Sequence, residues 1–190
     1  MKIDSPCQIV ISGVGGQGVL FITRLLAEAA IDKGLPVFTS ETHGMAQRGG
    51  TVISHLKVGA FASPLINPGR ADGLIALKAE CLIQHGGYVK PGGWAAVNTT
   101  ELGKTDAPST VFSIDADRVA REMGDPRSVN LIMLGLTLSS APGDDTGHGR
   151  LHCSLADIKS VLNNRLKGKE RLLKSSLRAL EAGAGSNAAP

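Results

Sequence analysis

The chain has 190 residues, 42% of them hydrophobic, 19% charged and only 3% aromatic, with a formal net charge of +3. A chain of this length can bury about 70% of its extended surface on folding, so its core needs neither disulfides nor a structural metal. The composition excludes a disordered protein and points to an aliphatic α/β core with many tight turns.

Gln8 to Ser12 reads as a buried strand ending at Gly13. Val19 to Lys33 has helical period, with Val19, Ile22, Leu25, Leu26, Ala29 and Ala30 on one face, and Gly34 and Pro36 stop it. Val37 to Ser40 is the next strand, which makes a βαβ opening with parallel strands and a right-handed crossover. A glycine-rich polar loop, 41–50, leads to the alternating strand Thr51 to Val58, suited to an edge or an interface. Strands follow at 71–77, 94–98 and 111–114, with short helices over 79–85 and 115–123 and a nearly all-apolar helix over 130–140. Ser154 with Asp157 forms a capping box for a helix whose apolar face holds Leu155, Ile158, Val161, Leu162 and Leu166. A last helix runs from about Lys169 to Ala182, and 184–190 reads as a disordered tail. The expected architecture is one domain over 1–183, a three-layer α/β/α fold with a Rossmann-like, mainly parallel sheet.

The basic residues are densest around Lys167, Lys169, Arg171 and Lys174, where they suit a solvated helix face. No basic run is interleaved with aromatics, so no nucleic-acid partner is expected. No apolar stretch is long enough to span a bilayer and no signal-peptide core follows Met1, so a cytoplasmic protein without a membrane partner is expected. Cys7, Cys81 and Cys153 are isolated, which excludes an iron–sulfur cluster or an all-cysteine zinc site made by this chain alone.

Two motifs carry the chemistry. Gly13, Gly15 and Gly18 of Gly13-Val14-Gly15-Gly16-Gln17-Gly18 satisfy G-x-G-x-x-G between a strand and a helix, where a phosphate can approach backbone N–H groups. Glu41 stands where a ribose-binding acid could fall. The same glycines would also serve only to pack the first helix on the sheet. The second motif, Glu41-Thr42-His43-Gly44-Met45-Ala46-Gln47-Arg48-Gly49-Gly50, presents polar side chains between glycines. Arg48 can take a carboxylate or phosphate bidentately, and His43 is a candidate acid or base. A partner-facing docking loop is the alternative.

Together these motifs resemble the gamma-type subunits and domains of the 2-oxoacid:ferredoxin oxidoreductases, above all the indolepyruvate:ferredoxin oxidoreductase beta-subunit branch. The resemblance continues through Ala71 to Leu77, Pro91-Gly92-Gly93 with Asn98, and Asn130 with Met133-Leu134-Gly135, and departs at Ser176, where such proteins often have Asn. It implies a non-redox subunit of an enzyme that decarboxylates 2-oxoacids oxidatively to acyl-coenzyme A and passes electrons to ferredoxin. Thiamine diphosphate and the iron–sulfur clusters are then expected on a large partner subunit, with coenzyme A a possible ligand here. Gly13, Gly15, Gly16, Gln17, Gly18, His43, Gln47, Arg48, Gly49, Gly50 and Asn98 are the candidate ligand- or partner-binding residues. The competing readings are a self-sufficient NAD(P)- or flavin-dependent oxidoreductase and a non-catalytic interaction module.

Two further patterns carry less. Gly143-Asp144-Asp145 with Asn163-Asn164 imitates a thiamine diphosphate motif with the wrong third residue and too short a gap. His148 and His152 do not share a helical face, so no metal is expected there, and His152 with Cys153 reads as structural.

Overall fold

The structure is a computed structural model that describes residues 6–43, 50–101, 110–141 and 151–186. Six strands form one sheet: β1 (Cys7–Val14), β2 (Val37–His43), β3 (Thr51–Val58), β4 (Ala71–Ala76), β5 (Val89–Asn98) and β6 (Thr110–Ile114), in the order β2-β3-β1-β4-β5-β6. The pairs β1–β4, β4–β5 and β5–β6 are parallel, whereas β3 runs antiparallel to both β1 and β2. The sheet is therefore mainly parallel, as expected. The opening strands β1 and β2 share a direction but do not touch, because β3 returns as a hairpin and inserts between them. The alternating strand is thus interior, and β2 is the edge. The mixed character of β3 fits this place: Leu56 and Val58 enter one core, while Ile53, His55 and Lys57 are buried on the other face.

The two faces are covered unequally. Helices α1 (Val19–Asp32), α3 (Ala116–Glu122), α4 (Val129–Ser140), α5 (Leu155–Arg165) and α6 (Glu170–Gly185) pack on the first face around Ile9, Ile11, Ile75 and Trp94. The second face is covered by the seven-residue α2 (Ala79–His85), with Ile66 and Tyr88 packed beside it over Val10, Leu74 and Val97. Helix α4 is hydrophobic nearly all round because it lies inside the first layer, with every residue from Val129 to Thr137 buried.

Local chemistry sets the helix ends. Asp115 caps α3 by accepting from the Arg118 N–H at 2.8 Å. At α5, Ser154 Oγ accepts from the Asp157 N–H, and the Asp157 carboxylate accepts from the Ser154 N–H at 2.7 Å, which completes the expected capping box. The same carboxylate receives Lys33 Nζ at 2.6 Å. Burial pushes the Asp157 carboxyl up, but the Lys33 and Ser154 hydrogen bonds outweigh this and hold it below its ordinary range. Helix α6 continues past the expected end at Ala182 to Gly185. Gly183 is buried against α4, and a Cβ there would lie 1.9 Å from the Ile132 carbonyl oxygen. Gly135 reciprocates, since its Cβ would lie 2.0 Å from the Leu180 carbonyl oxygen. The two glycines let the helix backbones meet.

Candidate functional site

Strand order reverses around β1, so a crevice opens beyond the carboxyl ends of β1, β4 and β5, where an open parallel sheet places its ligand. The glycine loop follows β1 into this crevice. Its Val14 N–H donates to Gln17 Oε1 at 2.7 Å, the Gln17 N–H returns to the Val14 carbonyl at 3.0 Å, and Gln17 Nε2 reaches the Leu77 carbonyl at 3.5 Å. The glutamine side chain thus ties the loop to the end of β4. Gly18 adopts φ 86°, a left-handed conformation that lets its carbonyl accept from the Phe21 and Ile22 N–H groups and start α1.

Gly18 has a second reason to lack a side chain. A Cβ there would lie 2.1 Å from Nδ2 of Asn130, which sits in the first turn of α4. The helices α1 and α4 therefore begin side by side. Asn130 is buried, and its Oδ1 accepts from the Leu131 N–H. Asn98 lies on the crevice floor with its amide committed within the fold. Nδ2 donates to the Leu77 carbonyl at 3.2 Å and to Asp117 Oδ2 at 2.7 Å, and Oδ1 accepts from the Ala116 N–H at 2.9 Å. In this geometry Asn98 organises the floor and anchors α3.

The second motif arrives at the same place. His43 ends β2 opposite Val52, and Gly50 lies against the glycine loop, its carbonyl accepting from the Gly15 N–H at 3.1 Å. Gln47, Arg48 and Gly49 lie outside the described residues. Beside the loop is an open cavity of about 450 Å³ whose walls include Val14, Gly16, Phe21 and Val52, with Arg24 the one charged wall among the described residues. Exposed loop glycines, the start of α1 and one guanidinium make these walls chemically suited to an anionic group such as a phosphate.

The same geometry is unsuited to a dinucleotide in the usual pose. The Gly15 N–H is already taken by Gly50, and β3 separates β1 from Glu41, which lies on the edge strand β2 and pairs with Ser54 of β3. Glu41 is thereby displaced by one extra strand spacing, about 4.8 Å, from the place a ribose acid occupies beside the first strand.

The donor set of the described residues does not fit an iron–sulfur cluster. Cys7 and Cys153 lie in the core of one sheet face and Cys81 in that of the other. Burial pushes the Cys7 and Cys81 thiols up and Cys153 up to about 12, so all three stay protonated. Among the described residues no group of His, Cys, Asp and Glu could hold a metal ion. His152 instead directs Nε2 to the Leu26 carbonyl at 2.8 Å. Asn163 and Asn164 lie in α5, where Asn163 Nδ2 donates to the Lys159 carbonyl. Asp144, Asp145 and His148 lie outside the described residues.

Sequence reading did not anticipate the polar cluster on the second face. Ser12 Oγ lies 2.8 Å from His85 Nδ1, and the His55 ring meets Tyr88 edge-on at 5.4 Å. The visible signal was His55 on an alternating strand; Ser12 sat inside an apolar run. Burial lowers the pKa of both histidines.

The fold, the loop and the crevice have counterparts in known proteins. Residues 8–186 match the model of the pyruvate ferredoxin/flavodoxin oxidoreductase family. The chain belongs to that family. It is 28% identical over 195 residues to the indolepyruvate oxidoreductase subunit IorB of Archaeoglobus fulgidus, covering 92% of each chain. Among solved structures, it is similar to the gamma subunit of a keto/oxoacid ferredoxin oxidoreductase from Geobacter sulfurreducens, with TM-score 0.71, 22% identity, and 94% of this chain and 96% of that one covered. It is also similar to the 2-oxoglutarate:ferredoxin oxidoreductase of Magnetococcus marinus, solved with 2-oxoglutarate, coenzyme A and succinyl-CoA bound, with TM-score 0.74 and 23% identity. There 95% of this chain matches 31% of a longer chain. Among the described residues no helix is long and apolar enough to cross a membrane.

Proposed function

We propose that the chain is the non-redox, gamma-type subunit of a cytoplasmic 2-oxoacid:ferredoxin oxidoreductase that acts on indolepyruvate or a related arylpyruvate. It forms one domain over 1–183. The reaction is oxidative decarboxylation of the 2-oxoacid to its acyl-coenzyme A, with ferredoxin taking the electrons. A larger partner subunit supplies thiamine diphosphate and the iron–sulfur clusters, and the isolated chain is inactive. The substrate assignment rests on the full-length match to the IorB relative.

The observation that carries this reading is the Gly50–Gly15 hydrogen bond. It brings the Gly50 end of the His43–Gly50 segment against the glycine loop, while the register sets His43 opposite Val52 on β3, so the two sequence motifs adjoin. On this reading Arg24, Arg48 and the glycine-loop N–H groups not used within the fold serve the phosphates of coenzyme A, and His43 and Gln47 serve the partner's active site.

Arg48→Ala in the assembled enzyme tests the ligand role. Loss of one charge-assisted phosphate contact of about 2 kcal/mol raises the KM for coenzyme A roughly 30-fold, with assembly and the KM for the 2-oxoacid unchanged. A variant that fails to assemble would make the segment a docking loop instead.

A further inference from the structure

The amide of Asn130 is only half used within the fold. Its Oδ1 accepts from the Leu131 N–H at 2.8 Å, which fixes the way the group is turned, since an NH2 there would face another donor. Nδ2 is therefore held toward Gly18, the residue that opens α1, where a Cβ would lie 2.1 Å from it. Among the described residues Nδ2 has no acceptor. Asn130 is only 8% exposed, so the side chain has little freedom, yet Nδ2 is not sealed off and a ligand can reach it.

The start of α1 presents donors at the same place. The Gly18 carbonyl serves the Phe21 and Ile22 N–H groups, whereas the Val19 and Leu20 N–H groups have no acceptor among the described residues. Neither α1 nor α4 has a side-chain cap or an acidic residue in its first turn, so no carboxylate of either helix start answers these donors. Covalent geometry puts the Val19 nitrogen about 2.4 Å from the Gly18 Cα. Nδ2 packs on that same glycine, so one tetrahedral anion can meet both. Convergent neutral donors at a helix start suit a phosphate, whose oxygens point in several directions, better than a planar carboxylate.

We propose that Asn130 is a phosphate-binding residue: its Nδ2, with the Val19 and Leu20 N–H groups, holds a phosphate group of coenzyme A at the start of α1. This rests on coenzyme A being the ligand of the glycine loop. It makes Asn130 a determinant of the preference for coenzyme A over thiols that lack phosphates.

Asn130→Asp keeps the shape of the side chain and its bond to the Leu131 N–H, but sets a carboxylate oxygen where the donor stood. Pantetheine carries the same thiol arm as coenzyme A without the phosphates. In the assembled enzyme, the kcat/KM for coenzyme A relative to that for pantetheine should fall at least about tenfold in the variant, the size of one hydrogen bond to a charged group. In the full-length wild-type chain, pyrophosphate should shift the Val19 and Leu20 amide signals and the Asn130 side-chain NH2 signals together and saturably in magnetic resonance spectra. This second measurement decides the matter if the variant does not fold. Equal losses for coenzyme A and pantetheine would reduce Asn130 to helix packing and overturn the proposal. Pyrophosphate that leaves the Asn130 NH2 signals unmoved would overturn it too. A wild-type enzyme that uses pantetheine as well as coenzyme A contradicts the coenzyme A reading itself, whereas a preference left intact by Asn130→Asp contradicts only the role of Asn130.

Discussion

His152 shows how one buried side chain sets a pH dependence. Its ring proton sits on Nε2 toward the Leu26 carbonyl, while Nδ1 is buried with no partner, so a second proton has nowhere favourable to go. Burial lowers its pKa from the ordinary 6.5, as it does for His55 and His85. The sign follows directly. The unfolded chain binds more protons just below pH 6.5 than the folded one, so stability is full above that value and falls as the pH drops. Asp157, with its folded carboxyl held low, extends the loss to lower pH. His152→Gln, which can still donate to a carbonyl but does not titrate, should show a shallower loss of melting temperature between pH 6.5 and about 5. An identical slope in both proteins would contradict this assignment of the buried Nδ1. None of this was visible in the sequence, where His152 stood out only as one of a histidine pair four residues apart.

At the scale of elements, the sequence was most legible where structure is local. The period of α1, the capping box of α5 and the apolar run of α4 were readable because each depends on neighbours within a few residues. The placement of β3 between β1 and β2 was not, since strand order is decided by pairings far apart in the chain. Its even mixture of polar and apolar residues suggested an edge or interface, and only the second core, under α2, explains the burial of both its faces. The end of α6 was hidden for another reason. Gly183, Ala184 and Gly185 look like the start of a flexible tail, yet contact with α4 overrides the weak helix propensity of the glycines. Gly183→Ala tests this. The added methyl must separate the α4 and α6 backbones, which should cost about 2–3 kcal/mol in denaturant unfolding. A loss below about 1 kcal/mol, the cost of an ordinary substitution, would mean that the helices do not cross this closely.

On the scale of the whole molecule, the sheet is heavily clad on one face and lightly on the other, and the glycine loop and Gly50 lie together at one end. Two sequence motifs, far weaker apart, meet there through a single backbone hydrogen bond. The family was legible because those motifs are short, glycine-rich and specific. The detailed site was less so, since Gln17 and Asn98 spend their amides on tying the loop, β4 and α3 together, a role no spacing rule reveals. The proposed function makes this chain one subunit of a larger enzyme, completed by a partner subunit.

That claim is tested most directly by anaerobic recovery of the tagged chain from its native cells, with the protein composition and the visible spectrum of the eluate measured together. The account predicts a stoichiometric larger partner, brown iron–sulfur absorbance and bound thiamine diphosphate, with 2-oxoacid-dependent ferredoxin reduction present in the complex and absent from the chain alone. A colourless, partnerless chain that binds NAD(P) or a flavin would contradict it and return the glycine loop to a self-sufficient oxidoreductase.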